Sequence, residues 1–316
     1  YESYILEDED LLMSHINSMQ YLGRTVLYKK QDDEIIIHGM NLLRLRANRD
    51  IIIPGYAKYY FYGHSFRSQL RNIMKKSVNQ ASFAVKDLKK IKMEIPCLRE
   101  QQKLVQVLDK IQKIIDVKTK EIAKFDELVS ARFVEMFGDP ITNSKLLPIE
   151  KIEERYFLKA GITTKAEDIH DYLKDKYEIP CYGGNGIRGY VENLSYEGCY
   201  PIIGRQGALC GNVQYATGKF HATEHAVLVS ILKNDNTMWV YYMLKLMDLY
   251  RYHTGAAQPG LAVKKLNTID VIVADINLQN QFATFVHQVN KSKFEVQKSL
   301  EKTQLLFDSL MQEYFG

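Results

Sequence analysis

LREQQKLVQVLDKIQKIIDVKTKEIAKFDELVSARFVEMF, residues 98 to 137, is the stretch that decides the fold. It contains no Pro and no Gly, and its apolar residues recur at steps of three and four, which marks one continuous helical stripe. The stripe consists of Leu104, Leu108, Ile111, Ile115, Ile122, Phe125, Val129 and Met136. The pattern predicts one uninterrupted helix, about 60 Å long at a rise of about 1.5 Å per residue.

A second stretch with the same properties runs from Leu278 to Phe315. Its stripe consists of Phe282, Val286, Val289, Val296, Leu300, Phe307, Leu310 and Tyr314. Lys118 and Arg132 interrupt the first stripe and Lys293 the second, each aligned with an apolar residue of the other. These mismatches predict that the two helices pair with each other, antiparallel within one chain. A generic coiled coil between chains is the alternative that periodicity leaves open.

An internal repeat explains why the two helices are similar. Residues 80 to 138 align without a gap on residues 258 to 316, at a constant offset of 178. The matches include AVKDL with AVKKL (84 and 262), Gln101 with Gln279, and, upstream, Tyr59-Tyr60 with Tyr241-Tyr242 and Gly23 with Gly211. Each repeat is therefore a mixed domain followed by a helix. The first copy lacks a counterpart of residues 148 to about 195, and the chain does not begin with Met, which favours N-terminal truncation of the first domain.

The repeat predicts an α+β fold, with two mixed, strand-rich domains separated by two long helices that pair as an antiparallel coiled coil. We divide the chain into a first, partial domain (1–96), a first helix (97–138), a second domain (139–275) and a second helix (276–316). In the second domain, β-prone runs at 200–203, 213–215 and 226–229 are separated by Gly-containing turns, and residues 239–252 have a helical pattern.

Composition excludes several classes of protein. The chain is 46% hydrophobic, 25% charged and 11% aromatic, and no apolar run is long enough for a membrane span, so we expect a cytoplasmic protein. Its four Cys form no C-x-x-C pair, which argues against a zinc site or a disulfide framework. Net charge is +4, and from Lys58 to Lys92 nine basic residues accompany one acid, Asp87. This stretch suits a polyanion such as DNA, although a solvated surface gives the same pattern.

Three stretches of the second domain resemble enzyme motifs. GNGIRG (184–189) satisfies G-x-G-x-x-G, but a dinucleotide site needs a following helix, and the next residues favour an extended run. HATEH (221–225) satisfies H-x-x-E-H, which binds zinc only on a helix. The following β-prone run favours a strand, which would turn Glu224 away from both histidines. GKF (218–220) lacks the other residues of a P-loop, and we find no N-P-P-Y-like methyltransferase motif.

The residues YGGNGIRGY (182–190), IIGRQG (202–207) and ATEHA (222–226) resemble those of the specificity subunits of type I restriction-modification systems. The helix beginnings EQQK (100–103) and LQNQ (278–281) are also similar to the family, although the second departs from its usual Glu-Gln start. The resemblance covers nearly the whole chain. It is specific in the second repeat and looser in residues 1–76, where LGR (22–24) and MNLLRL (40–45) are suggestive.

The resemblance implies that each domain recognises one half of a two-part target in double-stranded DNA and that the helices set the unread gap. It implies a chain with no catalytic site, cofactor or metal of its own. Adenine methylation with S-adenosylmethionine, and cleavage driven by ATP and Mg, would belong to partners: two modification subunits and the restriction subunits. The candidate DNA-binding residues are Gly184, Asn185, Arg188, Arg205, Gln206, Gly207 and His225 in the second domain, and His15, Asn17, Arg24, Lys75, Lys76, Asn79 and Gln80 in the first.

Two other classes of function stay open on the sequence. The chain fits a coiled-coil scaffold without a DNA role, or a metal hydrolase that uses His221, Glu224 and His225. DNA binding with a steep salt dependence would oppose the scaffold, and metal analysis of the protein would decide the hydrolase.

Overall fold

The structure is a computed structural model that describes residues 2–174, 176–255 and 259–316. The remaining positions, among them Gln258 at the start of the second repeat, lie outside the described residues. The chain has two compact units: Tyr1–Glu121 with Glu295–Gly316 (unit 1) and Ile122–Phe294 (unit 2). The predicted domain boundaries remain a prediction. No helix among the described residues is long and apolar enough to cross a membrane.

Unit 1 combines short strands with helices. Its elements are β1 (Leu11–Ser14), β2 (Ile16–Asn17), β3 (Thr25–Leu27), β4 (Leu42–Leu45), α1 (Pro54–Tyr62), α2 (His64–Ile73), β5 (Lys75–Lys76), β6 (Ala81–Ser82), α3 (Val85–Leu88) and the first part of α4 (Leu98–Phe137). The strands form two antiparallel sheets, in the orders β3-β1-β4 and β2-β6-β5. Pro54 suits the first turn of α1, where a missing N–H breaks no helical hydrogen bond.

Unit 2 contains a larger sheet. After the end of α4 come β7 (Ile149–Lys151), α5 (Ile152–Arg155), β8 (Tyr156–Ala160), β9 (Ile179–Gly183), β10 (Gly186–Val191), β11 (Tyr196–Gly204), β12 (Val213–Ala222), β13 (Ala226–Ile231), α6 (Thr237–Leu246), α7 (Val263–Asn267), β14 (Asp270–Ile272) and the first part of α8 (Ile276–Phe315). The six-stranded sheet has the order β10-β9-β12-β11-β13-β8, and β14 pairs with β7. The three β-prone runs fall within β11, β12 and β13, as predicted.

Polar side chains fix where two helices of unit 2 begin. The Asn236 side chain accepts hydrogen bonds from Met238 N and Trp239 N at the start of α6. Asp275 Oδ1 accepts one from Asn277 N (2.9 Å) at the start of α8. Such caps satisfy main-chain donors that have no partner inside the helix. The predicted helix at residues 239–252 is thus α6 followed by a 3-10 turn, Leu249–Tyr252.

The two long helices pair antiparallel, as predicted. In unit 1, Leu108 near the start of α4 belongs to the core against which Phe307 and Leu310 of the last part of α8 pack. In unit 2, Phe133 near the end of α4 packs edge-on against Phe282 near the start of α8, with ring centroids 5.4 Å apart. Each unit therefore buries opposite ends of the two helices against each other.

The interruptions of the apolar stripes have partners across the helix pair. Lys118 Nζ donates to Ser299 Oγ in unit 1. In unit 2, Lys293 Nζ lies 2.7 Å from both carboxylate oxygens of Asp126. The Arg132 guanidinium lies over a ring of the other helix, Phe285, 5.8 Å from its centroid. All three interruptions are therefore matched within the chain.

The predicted stripes are wrong near the helix ends. Tyr314 is 52% exposed, and Phe315 is buried in its place against Tyr56. Phe133 and Phe137, which the predicted stripe omits, are buried, whereas Met136 is only partly buried. The reason is that a helix with about 3.6 residues per turn drifts by about 20° per seven residues relative to a strict seven-residue pattern. The buried face therefore moves by one residue towards the ends.

Candidate nucleic-acid interface

The connection between β11 and β12 carries three of the candidate residues of unit 2. Main-chain hydrogen bonds from Gly204 N to Asn212 O (2.8 Å) and from Gly211 N to Gly204 O (2.7 Å) close this loop. A third, from Arg205 N to His225 O (3.0 Å), joins it to the turn before β13. Arg205 and His225 are therefore direct neighbours, although they lie 20 positions apart in the sequence.

A glycine hairpin between β9 and β10 lies against these strand ends. A Cβ on Gly184 would be 3.2 Å from His225 O and 3.3 Å from Gly204 Cα, and a Cβ on Gly204 would overlap the carbonyl of Gly184. Only glycine permits this close approach of the two main chains. The hairpin thereby places its turn residue, Asn185, beside the β11–β12 loop, where the Asn185 side chain accepts a hydrogen bond from Asn212.

Five of the seven candidate residues of unit 2 line one open cavity of about 460 Å³: Gly184, Asn185, Arg188, Gln206 and His225. Arg205 and Gly207 are not among its lining residues but flank Gln206 in sequence. Gly207 has a φ of +80°, and a Cβ there would have no neighbour within 4 Å. Arg188, Asn185 and Gln206 are exposed, so the cavity presents amide and guanidinium groups to a ligand.

Two buried nitrogens of this site have no partner among the described residues. They are Arg205 Nε and His225 Nδ1. His225 uses its other ring nitrogen, Nε2, which lies 3.2 Å from Glu224 Oε1. Buried polar atoms are nearly always hydrogen-bonded in folded proteins, and exceptions need an explanation. A ligand that supplies hydrogen-bond acceptors is one such explanation.

The candidate residues of unit 1 lie in two adjoining segments. His15 and Asn17 follow β1 and flank or form β2, which pairs with β6 of the hairpin that carries Lys75, Lys76, Asn79 and Gln80. All four hairpin residues are exposed, and so is Val78 at its turn, to 98%. The structure thus brings the two groups together in one three-stranded sheet. Arg24 is exposed at the end of the loop between β2 and β3, and its guanidinium carbon lies 4.3 Å from the centroid of the Tyr21 ring.

Asn17 is less available than the sequence suggested. Its Nδ2 donates to Ser14 Oγ (3.1 Å) and its Oδ1 accepts from Ser18 N (2.8 Å). These local hydrogen bonds are typical of Asn in loops, and they use one donor and one acceptor of the amide that would contact a base.

Asn41, which is not among the candidates from the sequence, lies beside His15. Its carbonyl accepts the hydrogen bond of His15 N (3.1 Å), and its side chain is exposed just before β4. Asn41 directly precedes β4, as His225 directly precedes β13. The connections that lead to these two strands differ in length, so a sequence alignment does not place the two residues at the same position.

The enzyme-like motifs have non-enzymatic geometries. GNGIRG forms a β-hairpin turn followed by β10, so no helix N-terminus faces a pyrophosphate. In HATEH, His221 is in β12, and its ring nitrogens contact Ser195 Oγ and Thr164 Oγ1, the latter at 2.8 Å. The expectation that Glu224 turns away from both histidines is wrong, because residues 223–225 form a turn that brings it to His225. In the described parts of the chain, no group of three or more His, Cys, Asp or Glu could hold a metal ion.

The sequence model of the type I restriction modification DNA specificity domain matches residues 1–126 and 157–305. The chain belongs to this family. A type I restriction enzyme EcoprrI specificity subunit from Escherichia coli is 35% identical over 251 residues, which cover 72% of this chain and 60% of that protein. A putative type I restriction enzyme MjaX specificity subunit from Methanocaldococcus jannaschii is 30% identical over 145 residues, 46% of this chain and 34% of that protein. The chain thus spans less than two thirds of these relatives.

Solved structures of the family share the fold. A type I restriction-modification S subunit from M. genitalium matches with a TM-score of 0.62 at 17% identity, over 98% of this chain and 83% of that one. A chain from a structure of the assembly and conformational transition of the type I R-M system matches with a TM-score of 0.59 at 14% identity, over 98% and 82%. At these identities the likeness shows the architecture alone.

Proposed function

We propose that this specificity-family chain recognises double-stranded DNA at a two-part target, with one strand-rich unit for each half-site. The observation that carries the proposal is the cavity of unit 2, where Asn185, Arg188, Gln206 and His225 converge around a glycine hairpin. Arg bonds guanine and Asn or Gln bonds adenine in the major groove, so this set suits base edges. Lys75 and Lys76 of unit 1 suit phosphates, which fix position rather than sequence.

We further propose that the long helices set the length of the unread gap. Each is one uninterrupted element of 40 residues, and polar pairs such as Lys293–Asp126 fix the register in which they meet. Helices that meet in a fixed register suit the role of a spacer.

Catalysis, in this proposal, belongs to other subunits: two modification subunits that use S-adenosylmethionine and restriction subunits that use ATP and Mg. The helix surface of unit 1 supports an assembly partner, because it exposes large apolar side chains along the pair: Val107, Ile114, Val117, Leu305 and Leu306. Exposed apolar side chains suit a protein interface where they lie together on the surface.

The spacer is tested by adding four residues at matched positions near the middle of α4 and α8. The helices should lengthen by about 6 Å, and because duplex DNA rises about 3.4 Å per base pair, the gap should grow by one or two base pairs. Sequences selected from a random duplex pool would show the gap. We expect weaker binding as well, because the insertion shifts the apolar stripe and rotates one half-site around the DNA.

The bases read in each half-site should stay the same, because the insertion leaves the loops untouched. An unchanged gap with normal affinity would show that the helices do not measure DNA. If the unmodified chain, together with its modification subunits, selected no sequence and its binding did not fall with salt, DNA recognition itself would be wrong and the scaffold alternative would stand.

A further inference from the structure

We infer that two equivalent residue pairs, His15 with Asn41 in unit 1 and Arg205 with His225 in unit 2, determine which bases each unit selects. This inference rests on the proposed function, and it names the positions within the interface that carry specificity. Asn41 was not a candidate from the sequence, and its place in the pair depends on the hydrogen bond from His15 N to its carbonyl oxygen.

Four main-chain hydrogen bonds arrange the strand ends in the same way in both units. In unit 1 they run from N to O as Ser14 to Arg24 (2.9 Å), Gly23 to Ser14 (2.7 Å), His15 to Asn41 (3.1 Å) and Phe83 to His15 (3.3 Å). In unit 2 they run as Gly204 to Asn212 (2.8 Å), Gly211 to Gly204 (2.7 Å), Arg205 to His225 (3.0 Å) and Leu261 to Arg205 (2.8 Å). Because every bond fixes a donor and an acceptor, the set equates position 15 with 205 and position 41 with 225.

Two independent features support this equivalence. Phe83 and Leu261 stand at the offset of 178 residues that the sequence repeat gives further along the chain. Gly23 and Gly211, which close the two loops, both adopt left-handed backbone conformations, with φ of +71° and +84°. The units therefore share one main-chain scaffold at this place and differ in the side chains that it carries.

Three of these four side chains, His15, Arg205 and His225, each keep one buried nitrogen without a partner among the described residues. His15 packs against Phe83, with ring centroids 6.3 Å apart, and its Nδ1 is buried without a hydrogen bond to any described residue. Arg205 Nε and His225 Nδ1 are likewise buried without a hydrogen bond to any described residue. Burying a polar group without a partner destabilises the free protein, so its retention at both equivalent positions indicates a ligand that completes it.

Neighbouring loop residues do not meet this description. Both polar atoms of the Asn17 side chain are hydrogen-bonded within unit 1, and the Arg24 guanidinium is stacked on Tyr21. Asn185 of unit 2 is bonded to Asn212. Positions 15 and 205 are therefore the loop positions at which a buried polar atom has no partner among the described residues, and the paired positions 41 and 225 lie one main-chain hydrogen bond away.

The test is selection of bound sequences from a random pool of duplex DNA, with the full chain assembled with its modification subunits. The variants are Arg205→Ala with His225→Ala, and His15→Ala with Asn41→Ala. Each should lose roughly 5- to 150-fold of base preference at one or two adjacent positions of a single half-site, the range expected for a base contact. Arg99→Ala and His287→Ala replace exposed residues of the long helices and should leave every preference unchanged.

Arg205→Lys separates base reading from a general charge effect and guards against misfolding of the alanine variants. Lysine keeps the charge for a phosphate but loses the two parallel donors of arginine, so preference should fall while salt-dependent affinity persists. Full preference in Arg205→Lys, or in both alanine pairs, would overturn the inference and leave DNA recognition by the chain intact. Loss of preference in both half-sites from one pair would also overturn it. An unmodified protein that selects no sequence would instead refute the proposed function.

Discussion

Gln101 and Gln279 occupy the same position near the start of the two long helices, and both are fully buried. In unit 1, Gln101 bonds only main-chain groups: Ile53 N at 2.8 Å, Ile51 O at 2.9 Å and Pro96 O at 2.8 Å. In unit 2, Gln279 bonds two main-chain groups, Asn236 N at 2.7 Å and Ala274 O at 3.0 Å, but its third partner is the Asp235 carboxylate at 2.7 Å. The third partner of the glutamine is therefore a main-chain carbonyl in unit 1 and a charged carboxylate in unit 2.

That charge belongs to a buried ion pair. Asp235 lies 2.7 Å from Arg155, and their side chains are 0% and 8% exposed. The Tyr156 hydroxyl also donates to Asp235, at 3.1 Å. Taking two charges out of water is costly, so each depends strongly on the other once buried. The repeat therefore fixes the main-chain contacts at the helix start, whereas the side chains decide how sensitive each unit is to a single substitution.

The largest effect that would sharpen this comparison is expected for Asp235→Ala. Removing the carboxylate leaves Arg155 buried without its main partner and should lower the free energy of unfolding of unit 2 by about 3–5 kcal/mol. Glu150, 3.4 Å from Arg155, offsets part of the loss. Trp239 is the only Trp of the sequence and lies in the core of unit 2, so denaturant titration followed by its fluorescence reports on this unit.

Asp109→Ala is the matched control in unit 1. Asp109 accepts a hydrogen bond from Tyr59 OH at 2.6 Å, but its side chain is 56% exposed. Water can therefore replace much of the contact, and we expect a loss of about 1 kcal/mol in unit 1, measured by hydrogen exchange of α1 and α4 because Trp239 reports on unit 2. Equal losses from Asp109→Ala and Asp235→Ala would contradict the view that the buried charge distinguishes the units.

Gly211→Ala and Gly23→Ala compare the loops that carry the proposed base-reading pairs. Both glycines have positive φ, so alanine costs about 1–2 kcal/mol in either loop. In unit 2, a Cβ on Gly211 would also overlap Tyr250 N and approach the carbonyl carbon of Leu249 to 2.7 Å. In unit 1, a Cβ on Gly23 would overlap only the tip of the Leu70 side chain, which can rotate away.

We therefore expect Gly211→Ala to lower the free energy of unfolding of unit 2 by about 3 kcal/mol in total. Gly23→Ala should lower that of unit 1 only by the backbone strain, about 1–2 kcal/mol. Hydrogen exchange of the strands β11 and β12, compared with β1 and β3, measures the two effects separately. A larger effect in unit 1 would show that the equivalent loops are not built on the same scaffold.

The long helices were predictable because their determinants are local. A run of 40 residues without Pro or Gly and with one apolar stripe predicts a helix whatever surrounds it, and α4 spans that run, Leu98–Phe137. The burial of Phe315 instead of Tyr314 was not predictable from a seven-residue pattern, because it depends on the accumulated drift of the helix.

The candidate site was predictable only in part. The motifs around Gly184 and Arg205 single out two loops of unit 2 that the structure brings together, because tight turns require glycine at defined places. The pairing of His15 with Asn41 depends on a hydrogen bond between residues far apart in sequence, across a connection whose length differs from its counterpart in unit 2. Which side chains keep free polar groups also depends on local contacts such as Asn17 with Ser14.

His221 should give unit 2 a pH dependence. Burial lowers the pKa of its imidazole below the usual value of 6.5, so the unfolded chain binds a proton more readily than the folded one. Stability should therefore be complete above pH 6.5 and decrease as the pH falls from 6.5 towards the lowered pKa. His221→Gln should weaken this dependence in titrations followed by Trp239 fluorescence, whereas His287→Gln on the surface of α8 should not. The same slope in His221→Gln would assign the dependence to other groups.

The smallest effect concerns the two lysines that interrupt the helix stripes, whose partners differ in charge. Lys293 meets the Asp126 carboxylate, with side chains 31% and 54% exposed, and Lys118 meets the neutral Ser299 hydroxyl. Ion pairs with this exposure contribute less than about 1 kcal/mol, and salt weakens them further. Lys293→Gln should therefore lower stability slightly at low salt and hardly at all at 1 M salt. Lys118→Gln should have the same effect at both, because its partner carries no charge.

Denaturant titrations of both variants at the two salt concentrations compare them directly. If only Lys118→Gln showed a salt-dependent loss of stability, the charged contact would lie at Lys118 in unit 1 and not at Lys293 in unit 2.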